Sequence, residues 1–182
     1  MQLARVDLQG TLWAEAVERR LAEFGDPLPP IKDRKAAKTF TYADTLEWGE
    51  PAAVEGGLLW RKPRAVISLV FVPPSSRELS AVLKELKETG APEDAHMLTE
   101  VRISSRSAYS GRYTTYVYPE PALLGSAVKV YKTQAYVVPV ESGYYKAQYR
   151  AEAAEFERHR EAFEKFLRYV DFAPPPPKEK KS

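Results

Sequence analysis

The chain has 182 residues, with 27 lysines and arginines, 25 aspartates and glutamates, and no cysteine. Without cysteine it cannot form a disulfide, a thiolate zinc site, an iron–sulfur cluster or a cysteine nucleophile, and its two histidines are too few for a histidine metal cluster. A formal net charge of +2 is too small to indicate nucleic acid or an anionic membrane as a partner. The length and a hydrophobic content of 44% instead predict one globular domain.

Residues 1–37 are predicted to form an N-terminal helix and a proline-rich connection. Apolar side chains recur at helical spacing over residues 11–24, and the prolines of Asp26–Pro30 end that pattern. Charged residues interrupt every apolar window near the start of the chain, so we expect neither a secretory signal nor a mitochondrial presequence there. No apolar run is long enough to span a membrane, so we expect no membrane insertion. The sequence does not indicate a compartment.

Two strands and a helix are predicted in the central part of the chain. Lys38–Ala43 alternates between polar and apolar residues, which predicts a short strand, and residues 48–57 are predicted to be a loop. Arg64–Val72 is apolar at nearly every position, so we expect a strand that is covered on both faces. A capping box at Ser75–Glu78 then predicts the start of a helix, which Gly90 ends.

From residue 97 onward, apolar residues recur with a period of two, which predicts strands joined by turns. The four predicted strands are Met97–Ser104, Arg112–Tyr118, Ser126–Val140 and Gly143–Arg150. The polar residues 104–112, with a tight turn at Ser110-Gly111, are predicted to form a mobile loop that contacts a partner. A final amphipathic helix is predicted over residues 151–170, and residues 173–182 are predicted to be a disordered Pro/Lys-rich tail.

The order of these elements defines the expected fold class. Strands and helices do not alternate as they would in a parallel sheet, so we expect an α+β protein. Its core is predicted to be an antiparallel sheet of about six strands with helices packed on it. We expect a single domain over residues 38–172, because no linker is long enough to divide it.

The sequence contains none of the common catalytic motifs. It has no P-loop, no GxGxxG turn, no GxSxG elbow and no HExxH pair. The carboxylate pairs Glu85/Glu88 and Glu161/Glu164 fall on predicted solvent-facing sides of helices, where ion pairs are the ordinary outcome. His159 has no predicted partner and is expected at the surface or at a boundary of the core. We therefore expect a protein that is not an enzyme and has no cofactor and no metal site.

Residues 101–150 combine positive charge with tyrosine. They carry a net charge of +5, whereas the rest of the chain carries −3, and they contain nine of the eleven tyrosines. Such a composition is typical of an ordinary half-exposed antiparallel sheet, of a protein-binding surface, and of a sheet that binds single-stranded nucleic acid by base stacking and phosphate contacts. All three interpretations stay open at this point. The candidate binding residues are Arg102, Arg106, Tyr109, Arg112, Tyr113, Tyr116, Lys129 and Lys132.

Several stretches of the chain share a hydrophobic and aromatic pattern with a known family. Tyr144–Arg150 is followed by a short acidic joint and then by an aromatic pattern that runs from Phe156 to Phe172, while Thr39–Trp48 and Arg64–Val72 provide the pattern upstream. Over residues 39–172 these features resemble PsbP-like domains. The resemblance implies an α+β fold and a mostly non-enzymatic binding role, as in photosystem accessory proteins, bacterial lipoproteins and a nuclear-import factor. It carries over no functional residue.

The leading functional hypothesis from the sequence is a non-catalytic accessory or assembly protein that binds a protein partner within a larger complex. The absent catalytic motifs, the Tyr/Arg-rich segment and the proline-rich basic tail favour this hypothesis. One alternative is a single-stranded nucleic-acid-binding protein that uses the basic, Tyr-rich sheet. A second alternative is an enzyme of unrecognised type.

Overall fold

A computed structural model describes most of the chain beyond the N-terminal segment. The described residues are 34–74, 78–88, 98–103, 106–119 and 127–172. The chain divides into two compact units, residues 1–31 and 32–182, and every described residue belongs to the second unit. The predicted first helix, the Ser75 side of the capping box and the C-terminal tail lie outside the described residues.

Ten strands and two helices make up the described part of the chain. In chain order they are β1 (Arg34–Ala36), β2 (Thr41–Ala43), β3 (Ala52–Val54), β4 (Gly57–Lys62), β5 (Ala65–Val72), α1 (Leu79–Glu88), β6 (Thr99–Ile103), β7 (Arg106–Val117), β8 (Lys129–Val140), β9 (Gly143–Glu152), α2 (Phe156–Arg168) and β10 (Val170–Asp171). A seven-stranded sheet has the order β3-β4-β5-β9-β8-β7-β6, and a three-stranded sheet has the order β1-β2-β10. The pairing is antiparallel throughout both sheets. The α+β class with an antiparallel sheet is confirmed, but the main sheet has seven strands instead of about six.

A hairpin of β3 and β4 stands where the sequence predicted a loop. β3 pairs with β4 over residues 52–54, and the turn between them contains Gly56, whose φ is +75°. The next residue must also be glycine, because a Cβ at Gly57 would collide with the Leu69 carbonyl of β5. All three residues of β3 are exposed, so the strand has no hydrophobic alternation that sequence analysis could detect.

β7 crosses the region that was predicted to be a mobile contact loop. Residues 106–112 all belong to β7, and Ser110-Gly111 pairs with β8 in the interior of the strand, so the predicted loop and turn are wrong. A Cβ on Gly111 would lie 3.4 Å from Leu98 and 3.7 Å from Leu86 of α1. These are ordinary van der Waals distances, so Gly111 is a strand residue that lies beneath α1 and not part of a turn.

The final helix is shorter than predicted at both ends, because neighbouring residues join the sheets. Residues 151–152 continue β9, and Val170–Asp171 forms β10, which pairs with β2. On its other side β2 pairs with β1. Arg34–Ala36, which the sequence placed in the N-terminal connection, is thus hydrogen-bonded to the folded domain.

α2 packs across one face of the seven-stranded sheet, which we call the α2 face. The ring of Phe166 lies 5.0 Å from that of Trp60 in β4, measured between centroids, and Phe163 lies 5.7 Å from Tyr149 in β9. Phe166 also contacts Tyr42 of β2 at 6.0 Å. One aromatic layer therefore holds α2 and both sheets together.

α1 packs on the opposite face, which we call the α1 face. Its buried residues Val82 and Leu86 form a second core cluster with Ala135, Val137 and Tyr144 of the sheet. The sheet is therefore covered by one described helix on each face, and its central strands carry apolar side chains on both faces. No helix among the described residues is long and apolar enough to cross a membrane.

Both helices are shorter than the strands they cover. β7 and β8 have 12 residues each, a length of about 40 Å at roughly 3.3 Å per residue. α2 has 13 residues and α1 has 10, which gives lengths of about 20 and 15 Å at roughly 1.5 Å per residue. Neither helix can cover these strands from end to end. We call the end of the sheet that α1 leaves uncovered the open end; it consists of residues 61–66, 116–118, 128–131 and 150–152, of which Ala65 and Ala151 are buried in the core on the α2 face.

Replacing Phe166 with alanine is expected to lower the free energy of unfolding by about 3–5 kcal/mol, because it removes the ring that contacts Trp60 and Tyr42. Urea unfolding followed by tryptophan fluorescence measures the effect. The control is Val54→Ala on the exposed strand β3, which should change the free energy by less than about 0.5 kcal/mol. Equal losses in the two variants would contradict the aromatic layer.

Candidate functional site

The register of the seven-stranded sheet divides the predicted binding residues between its two faces, since successive side chains of a strand point to opposite sides. The α2 face carries Arg106, Arg112, Tyr116 and Lys132. The α1 face carries Tyr109, Tyr113 and Lys129. Arg102 lies on the edge strand β6. The structure therefore does not bring the eight residues together on one binding surface.

Two of the predicted tyrosines belong to the packing around α1. Tyr109 and Tyr113 pack against the core cluster beneath the helix. The Gln148 amide donates a hydrogen bond of 3.2 Å to the Tyr113 hydroxyl, and burial raises the pKa of Tyr113. These rings have a structural role and are not open platforms for a ligand.

Three further tyrosines of the enriched segment lie in the core: Tyr144, Tyr145 and Tyr149. The Tyr149 hydroxyl donates a hydrogen bond of 2.8 Å to the Phe156 carbonyl at the start of α2. Burial, with smaller contributions from Glu155 and Glu157, raises the pKa of Tyr149 to about 12. Much of the tyrosine enrichment is therefore explained by the core.

Two of the predicted arginines have local contacts. The Arg112 Nε donates a 3.0 Å hydrogen bond to the Gln134 side chain, and its guanidinium carbon lies 5.6 Å from the centre of the Phe156 ring. Arg102 lines a small cleft of about 130 Å³ that Arg168 of α2 also lines. The two arginines lie in different places, and neither belongs to a larger cationic cluster.

A larger cationic cluster occupies the open end of the sheet, on the α1 face beyond α1. Its cations come from the β4–β5 turn and from the end of β9, and they line a cleft of about 410 Å³ together with one acid, one ring and an apolar wall. We call this site the cationic cleft. Its principal lining residues are Arg61, Lys62, Arg64, Val117, Tyr131, Arg150 and Glu152.

Two contacts hold the cleft in shape. The guanidinium of Arg150 lies over the ring of Tyr131, at 4.4 Å from its centre. Arg64 forms the one ion pair of the cleft, with its Nε 3.6 Å from a Glu152 oxygen. Arg61, Lys62 and Arg150 form no ion pair with any described acid. Three positive charges of the cleft are therefore left uncompensated.

Exposed apolar side chains lie beside the cleft, where β7 ends and β8 begins. Tyr116, Val117, Tyr118 and Val128 are 46%, 42%, 69% and 41% exposed, and the fifth large exposed hydrophobic residue of the described chain, Val54, lies at the opposite end of the sheet. We call these four residues the hairpin-end patch. Of these four residues Val117 also lines the cationic cleft, whereas the alternation of side chains along β7 places Tyr116 on the opposite face of the sheet.

Sequence analysis did not find the turn that supplies most of this charge. Arg61, Lys62 and Arg64 surround Pro63, and that basic run is the signal that could have identified it. The run fell between a predicted loop and a predicted strand, so its charge was not considered as a unit. Of the predicted residues, Tyr116 and Lys129 lie at the open end, Lys129 on the α1 face with the cleft and Tyr116 on the α2 face.

An aromatic contact connects the cleft with the α2 face. The Lys62 ammonium lies 5.2 Å from the centre of the Trp48 ring, and the imidazole of His159 in α2 meets the same ring at 5.2 Å. Burial and, secondarily, the positive charge of Lys62 lower the pKa of His159. His159 therefore lies at a boundary of the core, and its titration reports on the charge at the open end.

The arrangement of side chains at the open end suits the binding of an anionic, partly apolar group. Guanidinium and ammonium groups donate hydrogen bonds to carboxylates and phosphates, and the neighbouring apolar side chains can bury further surface. In the described ranges no group of three or more histidine, aspartate or glutamate residues is placed to hold a metal ion.

Comparisons with known proteins assign no family to the chain. No family model and no curated protein matches it. A solved structure from Bacteroides thetaiotaomicron aligns with a TM-score of 0.46 at 16% identity, over 78% of this chain and 47% of the other, so this chain spans about half the length of that protein. LpqN, described as involved in cell envelope biogenesis of Mycobacterium tuberculosis, aligns with a TM-score of 0.34 at 14% identity, over 80% of this chain and 85% of its own. Neither similarity assigns an activity to this protein.

Replacing Lys62 with glutamine is expected to raise the pKa of His159 toward its ordinary value of 6.5, because one of the charges that disfavour the imidazolium is removed. The pKa should stay below that value, since burial is the larger cause. Proton NMR of the imidazole signals as a function of pH measures the shift. Lys165→Gln, on the exposed side of α2, is the control and should leave the titration unchanged. An unchanged pKa in the Lys62 variant would contradict the contact with the open end.

Proposed function

We propose that this protein is a non-catalytic accessory protein that binds a protein partner through the open end of its seven-stranded sheet. The observation that carries the proposal is the concentration of exposed apolar side chains in the hairpin-end patch. Monomeric soluble proteins rarely cluster such side chains without a binding role.

The composition of the surface agrees with that of a protein–protein interface. Such interfaces combine an apolar and aromatic centre with a polar rim, and they are enriched in tyrosine and arginine. The hairpin-end patch supplies exposed apolar side chains such as Val117 and Tyr118, and the cationic cleft, which Val117 also lines, supplies arginines. A partner that covers both would remove apolar surface from water and neutralise the unpaired cations.

Binding of single-stranded nucleic acid has less support from the geometry. Stacking of successive bases requires a row of open rings along a cationic groove. Tyr109 and Tyr113 pack beneath α1, and Tyr131 already carries the guanidinium of Arg150. Tyr116 points to the opposite face from these rings. The absence of an enzymatic activity and the resemblance of residues 39–172 to PsbP-like domains stay predictions.

The double variant Val117→Ser/Tyr118→Ser is expected to lose the native complex, because it removes Tyr118, the most exposed side chain of the patch, and Val117, which also lines the cationic cleft. The matched control is Val54→Ser, which removes an exposed apolar side chain at the other end of the sheet and should keep the complex. Native mass spectrometry of the tagged chains, isolated from the cells that produce the protein, compares the three forms.

Lysine-directed cross-linking of the same complex locates the contact. Cross-links to the partner should come from the open end, at Lys62 and Lys129. Lysines on the helices serve as internal controls: Lys84, Lys87 and Lys165. A complex that survives the double variant, or whose cross-links come only from the helices, would contradict the proposed function.

A further inference from the structure

We propose that the cationic cleft binds an acidic segment of the protein partner, with aspartate or glutamate carboxylates at its guanidinium groups and an apolar residue of the same segment on the hairpin-end patch. The inference rests on the proposed function and specifies the chemistry of the partner at that surface. It adds charge pairing with the cationic cleft to the contact that the exposed apolar side chains make.

The charge of the cleft favours an anionic occupant. Its lining contains four cations and one acid, and that acid, Glu152, already lies 3.6 Å from Arg64. Covering Arg61 and Arg150 with a neutral surface would remove two charges from water without compensation, which is costly. A carboxylate-bearing segment provides the compensation, so charge complementarity selects an acidic partner.

The geometry of the cleft favours carboxylate binding by preorganisation. The guanidinium of Arg150 lies over the Tyr131 ring, 4.4 Å from its centre, and this contact restricts the side chain before the partner arrives. A planar guanidinium donates two parallel hydrogen bonds to one carboxylate, and a fixed guanidinium loses less side-chain entropy on binding. Pro63, between the cations of the β4–β5 turn, restricts that turn as well.

The apolar wall of the cleft defines the rest of the segment. Val66 and Val117 line the cleft, and Val117 continues into the exposed Tyr118. A purely acidic run would leave this wall uncovered. The volume of about 410 Å³ falls in the range of ordinary ligand pockets and holds a few side chains. Acidic residues that alternate with apolar ones therefore fit the surface best.

A fluorescein-labelled peptide of alternating aspartate and leucine tests the proposal with the full-length protein, by fluorescence anisotropy. The peptide should bind, with an affinity that falls as salt is added, and the counterpart with asparagine in place of aspartate should bind at least about tenfold more weakly. Arg61→Gln/Arg150→Gln should lower the affinity for the acidic peptide by about tenfold or more. Lys87→Gln/Lys165→Gln removes the same charge from the exposed helix surfaces and should leave the affinity unchanged.

The possible results separate this inference from the proposed function. Equal binding of the aspartate and asparagine peptides, no binding of either, or an equal loss in both double variants would overturn the acidic-segment proposal. Stronger binding of labelled oligothymidylate than of the acidic peptide would overturn it in favour of nucleic acid. The single variant Arg61→Gln leaves the contact between Arg150 and Tyr131 intact and should also weaken binding of the acidic peptide. This variant therefore separates a loss of binding from a folding defect in the double variant.

If the acidic peptide does not bind while Val117→Ser/Tyr118→Ser still abolishes the native complex, the acidic-segment inference is wrong and the proposed function holds.

Discussion

The difference in length between the helices and the central strands is the constraint on which the arrangement of this protein depends. The strands β7 and β8 extend about 40 Å, whereas α2 and α1 extend about 20 and 15 Å. Each helix forms an apolar core with the part of the sheet that it covers. On the α1 face, the part of the sheet beyond α1 has no described helix packed on it and carries the cationic cleft.

Because the helices cover only part of the sheet, tyrosines at different positions along it have different roles. Tyr149 and Tyr145 lie beneath α2 and form the aromatic core, and Tyr113 packs beside α1. At the open end, by contrast, Tyr131 supports Arg150, and Tyr118 is 69% exposed. The high tyrosine content therefore reflects strand propensity and core packing over most of the sheet, whereas Tyr118 at its end is exposed.

The main architecture could be predicted from the sequence wherever hydrophobic periodicity was strong. The strand around Arg64–Val72, the helix after the capping box and the amphipathic C-terminal helix all show it. The hairpin of β3 and β4 could not be predicted in this way, because β3 is short and exposed. The prediction of a turn at Ser110-Gly111 was wrong, because a Ser-Gly pair inside a strand has the same local composition as one in a turn.

The candidate site was harder to predict than the fold. A period of two shows that side chains alternate, but the assignment of each strand to the correct face depends on register and on what the helices cover. Arg112 and Tyr113 are adjacent in the sequence and point to opposite faces. The basic run around Pro63 is far in sequence from Arg150, and strand pairing between β5 and β9 brings the two together.

Amide hydrogen exchange of the protein, free and in its native complex, tests the central claim most directly. If the open end is the binding surface, amide exchange should be slower in the complex than in the free protein at the β4–β5 turn, at the end of β7 and at the start of β8. Exchange in α1 and β6 should be unchanged. Protection confined to α1 and β6, with no change at residues 61–66, would contradict the claim.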